Sequence, residues 1–147
     1  MAINITLIPV NEADKAFFQQ LNILSYKELV EKQFGAWEQK LQAQNFDKKW
    51  QEQSFQKAVL DGKAIGGIWV QVFETYHQLR EIQLLPEYRN QGIGAQLINT
   101  EIERANALGK KLRLRVLLLN PAVQLYERLG FVITGKTDTQ YHMEYQG

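Results

Sequence analysis

The chain has 147 residues, of which 45% are hydrophobic and 22% are charged, as in folded globular proteins rather than disordered or fibrous ones. A chain of this length buries well over half of its unfolded surface, so we expect one domain over residues 1–147. The 17 basic and 16 acidic residues nearly cancel, which argues against a nucleic acid or an anionic membrane as a partner bound by overall charge.

The sequence contains no cysteine, which excludes disulfides, thiolate zinc sites and cysteine nucleophiles. His77 and His142 have no carboxylates at metal-ligand spacing, so we predict no metal site and interpret them as a turn residue and a strand residue. No apolar run reaches the roughly 18 residues of a membrane-spanning helix. The first residues do not resemble a signal peptide, so we expect a cytoplasmic protein that binds no membrane.

The first half of the chain predicts one strand, two helices and a β-hairpin. Apolar and polar residues alternate in the strand, and Phe17, Leu21 and Leu24 recur at helical spacing in the first helix. Pro9 ends the strand, and Asp61-Gly62 forms the hairpin turn. The predicted bounds are residues 2–8 for the strand, 12–32 and 36–50 for the helices, and 54–73 for the hairpin.

The second half predicts strands alternating with helices. One helix follows the loop after Pro86 and ends near Gly109, where a left-handed cap is expected. Another begins at Asn120, an N-cap followed by proline, and ends at Gly130. The predicted strands are residues 79–85, 111–119, 131–134 and 139–145. These elements predict an α+β domain with a mixed, twisted sheet of six or seven strands and helices on both faces.

The segment Arg89-Asn90-Gln91-Gly92-Ile93-Gly94 joins a predicted strand to a predicted helix. The first N–H groups of a helix lack partners and lie at the positive end of its dipole, so such a junction is suited to phosphate. Gly92 and Gly94 would adopt positive φ, and Arg89 would bind the same diphosphate. The alternative is an ordinary helix-initiating turn, and neither the Rossmann nor the Walker glycine pattern is present.

Two segments of this half resemble motifs of one family. Residues 84–97, LLPEYRNQGIGAQL, resemble motif A of the GNAT acyltransferase superfamily, and residues 120–131, NPAVQLYERLGF, resemble its motif B. Two motifs in this order on the predicted elements are far more specific than either alone. The resemblance covers about residues 54–135, whereas the first 50 residues match only in outline.

The resemblance implies acetyl-CoA as cosubstrate and supplies a set of binding residues. In the superfamily two adjacent parallel strands splay apart around the pantetheine arm, and here they would be residues 79–85 and 112–119. The main chain at Leu84 and Leu85 would hold the pantetheine and could polarise the thioester carbonyl. The predicted cofactor-binding residues are Leu84, Leu85, Arg89, Asn90, Gln91, Gly92, Ile93, Gly94 and Asn120.

Tyr126 is the predicted catalytic acid. The resemblance places it where many members carry the residue that protonates the departing CoA thiolate, and a phenol is protonated at neutral pH. The alternative is a packing role, because Tyr126 shares one apolar helix face with Ala122, Leu125 and Leu129.

Glu81 is the predicted catalytic base. Amines are mostly charged at pH 7 and must lose a proton before attack, and some superfamily members carry a glutamate on this strand. The alternative is an exposed carboxylate paired with Arg80 or Arg113. Arg113 and Arg115 stand where some protein N-terminal acetyltransferases of the superfamily have their glutamate, so that base is missing here.

Two further groups of residues are interpreted as mainly structural. The basic run at residues 110–115 is interpreted as solvated side chains at the start of a strand. The alternative is that these side chains face an acidic group of the cofactor or the acceptor. The N-terminal helices carry Tyr26, Phe34, Trp37 and Trp50, which we expect to be mostly core, with one or two lining the acceptor pocket.

The resemblance implies transfer of an acetyl group from acetyl-CoA to a primary amine, with a small-molecule acceptor favoured. One alternative is an acyl-CoA-binding sensor or interaction module without turnover. Another is a protein N-acetyltransferase. A homodimer is left open, and the sequence does not identify the acceptor.

Overall fold

The computed structural model describes residues 3–52 and 54–147, so residue 2 of the predicted first strand lies outside the described part. Four α-helices and seven strands follow one another within that part. The helices are α1 (Lys15–Phe34), α2 (Gln39–Gln51), α3 (Ile93–Ala107) and α4 (Ala122–Arg128). The strands are β1 (Thr6–Pro9), β2 (Phe55–Leu60), β3 (Lys63–Val72), β4 (Tyr76–Leu84), β5 (Lys111–Leu117), β6 (Phe131–Lys136) and β7 (Gln140–Tyr145).

The seven strands form one mixed sheet in the order β1-β2-β3-β4-β5-β7-β6. β4 and β5 are parallel, whereas β1–β2, β2–β3, β5–β7 and β6–β7 are antiparallel. A parallel pair needs a crossover connection, which contains α3 in this chain. The predicted α+β class with a mixed sheet is therefore confirmed. The contacts of the chain fall into two compact units.

The first unit comprises Met1–Trp69 and Glu81–Gln91 and has an aromatic core. The ring centroid of Phe55 in β2 lies 5.1 Å from that of Phe18 in α1 and 5.1 Å from that of Trp69 in β3. The predicted hairpin is confirmed, since β2 and β3 are joined only by Asp61 and Gly62, both with positive φ.

Of the three apolar residues predicted for the buried face of α1, only Leu21 is buried. Phe18 and Leu21 are buried, whereas Phe17 is half-buried and Leu24 is 40% exposed. Phe17 and Phe18 are adjacent and identical, so periodicity alone does not select between them. Packing against Phe55 selects Phe18.

The second unit comprises Val70–Arg80 and Gly92–Gly147. α3 packs against β5, and its buried residues recur at helical spacing. They are Ile93, Leu97, Ile98, Glu101, Ile102 and Ala105. Gly109, which follows the helix, has the predicted left-handed conformation with φ of 68°.

β4 begins at Tyr76, so the interpretation of His77 as a turn residue is wrong. His77 lies opposite Leu112 in β5 and is 1% exposed. Polar residues can continue a strand because alternate side chains face the core. Burial, followed by the positive charges of Lys110 and Arg104, lowers the pKa of His77, so its imidazole is neutral at pH 7.

Glu101 is a residue of α3 whose carboxylate side chain is fully buried. It is 0% exposed, neither of its oxygens has a hydrogen-bond partner in the described chain, and Nη1 of Arg104 lies 3.4 Å from Oε1. Burial raises the pKa of Glu101, and the charge of Arg104 opposes this only in part. Because the pKa of Glu101 is higher in the folded state than in the unfolded state, the free energy of unfolding falls as pH rises through the pKa of the folded state.

We therefore expect Glu101→Gln to raise the free energy of unfolding at neutral pH, since it keeps the shape and removes the buried charge. The gain should vanish below the ordinary pKa of glutamate, where the wild-type side chain is neutral in both states. Urea unfolding at acidic and neutral pH measures the difference. Glu103→Gln, on the same helix but exposed, is the control. A loss of stability at neutral pH for Glu101→Gln would contradict this account.

Candidate active site

The predicted site residues are divided between the two units. Glu81, Leu84, Leu85, Arg89, Asn90 and Gln91 belong to the first unit. Gly92, Ile93, Gly94, Asn120 and Tyr126 belong to the second.

The end of β4 is held closely by β3. The main-chain N–H of Leu85 donates to the carbonyl of Ile65 at 2.8 Å. A Cβ built on Gly66 would lie only 2.2 Å from the carbonyl oxygen of Gln83 and 2.8 Å from Cδ2 of Leu84. Only glycine permits this approach, because the atom in the way belongs to the main chain. The sequence carries a signal for this approach, because glycine inside a strand often marks close backbone contact.

The loop after β4 is a short 3₁₀ turn followed by two left-handed residues. Pro86–Tyr88 form the turn, and Asn90 and Gly92 have φ of 59° and 82°. Gly94 lies in the first turn of α3, so the expectation of positive φ at Gly94 is wrong. Asn90 takes that conformation instead, because asparagine tolerates the left-handed region better than most residues.

α3 begins at Ile93 after Gly92, which has no side chain to cap the helix. The first N–H groups of this 15-residue helix therefore lack a side-chain cap from that position. This arrangement is the one that anions use at helix N-termini.

The Arg89 side chain is exposed and braces the main chain of its own unit. Its Nε donates to the carbonyl of Leu84 at 3.1 Å, and its Nη2 donates to the carbonyl of Leu24 at 3.3 Å. These contacts use two of the five N–H groups of a guanidinium. In the same loop, Nε2 of Gln91 donates to the carbonyl of Glu87 at 2.7 Å.

Glu81 is buried, and the alternative that it is an exposed partner of Arg80 or Arg113 is wrong. Nζ of Lys49 donates to Oε1 of Glu81, and Nε2 of Gln83 donates to Oε2 at 3.1 Å. Nε of Arg113 donates instead to Glu144.

The alternation of side chains along β4 explains this placement. Glu81 shares the buried face of the strand with Leu79 and Gln83, whereas Arg80 points to the opposite face and is exposed. Sequence reasoning missed Lys49 and Gln83 as partners of Glu81. The alternation of side chains along a strand would by itself have placed Gln83 on the same face as Glu81.

Asn120 and Tyr126 lie at the start and near the end of the α4 segment. Oδ1 of Asn120 accepts from the N–H of Ala122 at 2.9 Å, which confirms the predicted capping role. Gly130 ends the segment with φ of 108°, also as predicted.

Tyr126 is buried with its ring 5.7 Å from that of Phe131 in an edge-to-face arrangement. The side chain therefore packs, as the alternative interpretation expected. Burial raises the pKa of Tyr126 to about 12, so the hydroxyl keeps its proton at neutral pH. Packing and a role as acid are compatible at this position.

The basic run before and within β5 has partners in the second unit. Lys111 and Arg113 donate to the two oxygens of Glu144 at 3.0 and 2.8 Å, and Lys110 donates to the carbonyl of Phe73 at 2.9 Å. The hydrogen bonds from Arg113 and then Lys111 lower the pKa of Glu144. Lys111 and Arg113 are thus paired with Glu144, a contact that the interpretation as a solvated strand entry did not include.

A cavity of about 270 Å³ lies between α1 and α2. Trp37 and Phe46 contribute its aromatic lining, and amide side chains contribute its polar lining. The amides are Gln19, Gln20, Asn22, Gln39 and Gln42. Trp50 is core as expected, but Tyr26 and Trp37 are half-buried and Phe34 is 53% exposed, so the expectation that most of these aromatics are core is wrong.

Across residues 3–52 and 54–147, no three His, Asp or Glu side chains cluster in a way that could hold a metal ion. In the same residues, no helix combines the length and the hydrophobicity that crossing a membrane requires.

Comparison with known families and sequences gives two matches. The model of the acetyltransferase (GNAT) family matches residues 23–131. An uncharacterized N-acetyltransferase of Methanocaldococcus jannaschii is 34% identical over 92 residues, which cover 56% of this chain and 41% of that protein. This chain thus spans about two fifths of the length of that relative.

Solved structures share the fold at low identity. The PaiA N-acetyltransferase of Thermoplasma acidophilum, crystallised with coenzyme A, has a TM-score of 0.80 at 19% identity over 99% of this chain and 100% of that one. Arabidopsis thaliana Naa50 in complex with the bisubstrate analogue CoA-Ac-MVNAL has a TM-score of 0.68 at 17% identity, over 99% of this chain and 100% of that one. The ribosomal-protein-S18-alanine N-acetyltransferase of Escherichia coli has a TM-score of 0.69 at 22% identity, over 97% of this chain and 93% of that one.

Proposed function

The chain belongs to the acetyltransferase (GNAT) family, and from that premise we propose that it transfers the acetyl group of acetyl-CoA to a primary amine. The observation that carries this proposal is the Glu81 carboxylate. It is buried on β4, three residues before Leu84, and already holds a primary ammonium, that of Lys49. The cysteine-free sequence is compatible with a cytoplasmic location for this reaction.

Cofactor binding is assigned to the end of β4 and the loop that follows it. The main chain of Leu84 and Leu85 would bind the pantetheine, and residues 89–94 would bind the diphosphate at the start of α3. Asn120 would support the same ligand. Complexes of structurally similar proteins with coenzyme A and with a CoA analogue support coenzyme A as the kind of ligand bound.

The reaction needs one base and one acid. Glu81 would take a proton from the acceptor ammonium, directly or through water, and the neutral amine would attack the thioester carbonyl. The C–N bond forms, the C–S bond breaks, and Tyr126 would protonate the departing thiolate. The second proton lost from the nitrogen would then restore Tyr126.

We favour a small-molecule acceptor, and the cavity between α1 and α2 is the candidate site for its body. The lining combines uncharged amides with two aromatic rings, which suits an acceptor with hydrogen-bonding groups and little charge away from its amine. A protein N-terminus is the second candidate. Its support is the fold similarity to an enzyme that is named for the S18 alanine and to Naa50 bound to a peptide-bearing analogue.

A screen of amines with release of free CoA as the readout tests the activity. Small-molecule amines, polyamines, amino acids and short peptides form its arms. If CoA stabilises the chain but no amine yields product, the protein is an acyl-CoA sensor and the proposed enzyme function is wrong.

We expect coenzyme A at a hundred times its Kd to raise the free energy of unfolding by about 2.7 kcal/mol. Arg89→Ala should weaken that binding by about 10- to 100-fold, as expected for loss of a charge-assisted hydrogen bond. Thermal shift titrated with coenzyme A measures both effects. Arg128→Ala, an exposed arginine on α4 and outside the loop, should leave the affinity unchanged.

Stability without ligand must also be compared, because Arg89 braces Leu84 and Leu24. Equal affinities for the two arginine variants would remove Arg89 from the diphosphate site.

A further inference from the structure

Lys49 places a primary ammonium on the proposed base. Its Nζ donates to Oε1 of Glu81, while Gln83 fixes Oε2. The same ammonium lies 5.8 Å from the centroid of the Tyr26 ring, within the range of cation–π attraction. An ammonium in contact with a base is the arrangement an external acceptor must reach before it can attack a thioester.

We propose that the chain acetylates itself at Nζ of Lys49, with Glu81 as the base. The inference rests on the proposed function, because it requires acetyl-CoA bound along Leu84 and Leu85. Glu81 and Leu84 are about 10 Å apart along an extended strand. The Lys49 side chain is 31% exposed and that of Glu81 is 9% exposed, so the amine is accessible while the carboxylate is held in place.

The step balances with acetyl-CoA as the only co-reactant. Oε1 of Glu81 takes one proton from the Lys49 ammonium, and the neutral nitrogen attacks the thioester carbonyl. The C–N bond forms and the C–S bond breaks, and the second proton lost from nitrogen goes to the CoA thiolate. Glu81 then releases its proton to solvent. The acetylated side chain is neutral, which leaves Oε1 of Glu81 free for the ammonium of an external acceptor.

Ion pairing alone does not single out Lys49. Nζ of Lys57 donates to Oδ1 of Asp14 at 2.9 Å, and that pair is also partly buried. The difference is the position of the carboxylate, since Asp14 precedes α1 whereas Glu81 lies on β4 near the proposed pantetheine site. Lys57 is therefore the control for a paired lysine, and Lys48, the exposed neighbour on α2, is the control for chemical acetylation.

The test is incubation of the purified chain with isotopically labelled acetyl-CoA, followed by peptide mass mapping over time. We expect Lys49 to be labelled about a hundredfold faster than Lys48 or Lys57, the low end of what a positioned base contributes. The rate per molecule should not depend on protein concentration if transfer occurs within one chain. Glu81→Gln should reduce labelling of Lys49 to the level of Lys48 and leave Lys48 and Lys57 unchanged.

Lys49→Arg keeps the charge and should abolish the labelled peptide, which confirms the assignment of the site. Labelling of Lys49 no faster than that of Lys48, or undiminished labelling in Glu81→Gln, would overturn the inference. The amine screen run in parallel separates the two levels of the proposal. If external amines are acetylated and Lys49 is not, the self-acetylation inference fails alone. If neither reacts, the proposed function fails with it.

Discussion

Tyr126→Phe is expected to lower kcat about a hundredfold at saturating acetyl-CoA, the low end of the contribution of a positioned general acid. Burial raises the pKa of Tyr126 to about 12, so the hydroxyl holds a proton for the thiolate throughout the neutral range. Phenylalanine keeps the ring and its edge-to-face contact with Phe131. The loss should therefore fall on turnover, with the affinity for coenzyme A and the free energy of unfolding little changed.

Tyr145→Phe is the matched control, because Tyr145 also makes an edge-to-face contact with Phe131, at 5.6 Å, and lies outside the predicted site. The measurement is kcat for both variants at saturating acetyl-CoA, together with a pH profile of the wild type. Because the pKa of the acid is raised, deprotonation of Tyr126 should not reduce the wild-type rate until the pH approaches about 12. An unchanged kcat in Tyr126→Phe would leave Tyr126 with its packing role alone.

Gly66→Ala is expected to lower the free energy of unfolding by about 3 kcal/mol, the upper end of typical overpacking costs. The added Cβ would meet the main-chain oxygen of Gln83 at 2.2 Å, and a main-chain atom cannot rotate out of the way. For a chain of about this size the melting temperature should fall by roughly 6–12 °C. Relief of the clash has to move Gln83 and Leu84, so the affinity for coenzyme A should fall as well.

Gly135→Ala is the control for Gly66→Ala. Gly135 also lies in a strand, β6, but its added Cβ would meet only Cβ of His142, at an ordinary 3.9 Å. That variant should be neutral or more stable by about 0.5–1 kcal/mol, because alanine restricts the unfolded chain more than glycine does. Urea unfolding and coenzyme A titration of both variants measure the effects. Equal stability of the two variants would show that β3 and β4 can separate without cost.

Much of the fold could be predicted because short-range patterns specify it. The Asp61-Gly62 turn, the Asn120 cap and the Gly130 stop each depend on neighbours within a few residues. The order of helices and strands follows from hydrophobic spacing over one element. Errors arose where two choices were locally equivalent, as with Phe17 and Phe18, or where polar residues continued a strand, as at His77.

The candidate site shows the same difference between what local sequence patterns specify and what they do not. The sequence by itself determined the candidate residues of motifs A and B, because a glycine-containing junction and a capped helix are local features. Only the tertiary structure decided what surrounds Glu81. Its partner Lys49 lies 32 residues away in the sequence. Because side chains alternate along β4, Glu81 and the adjacent Arg80 point to opposite faces of the sheet. Packing across helices and strands chose these neighbours, and spacing along the chain does not encode that choice.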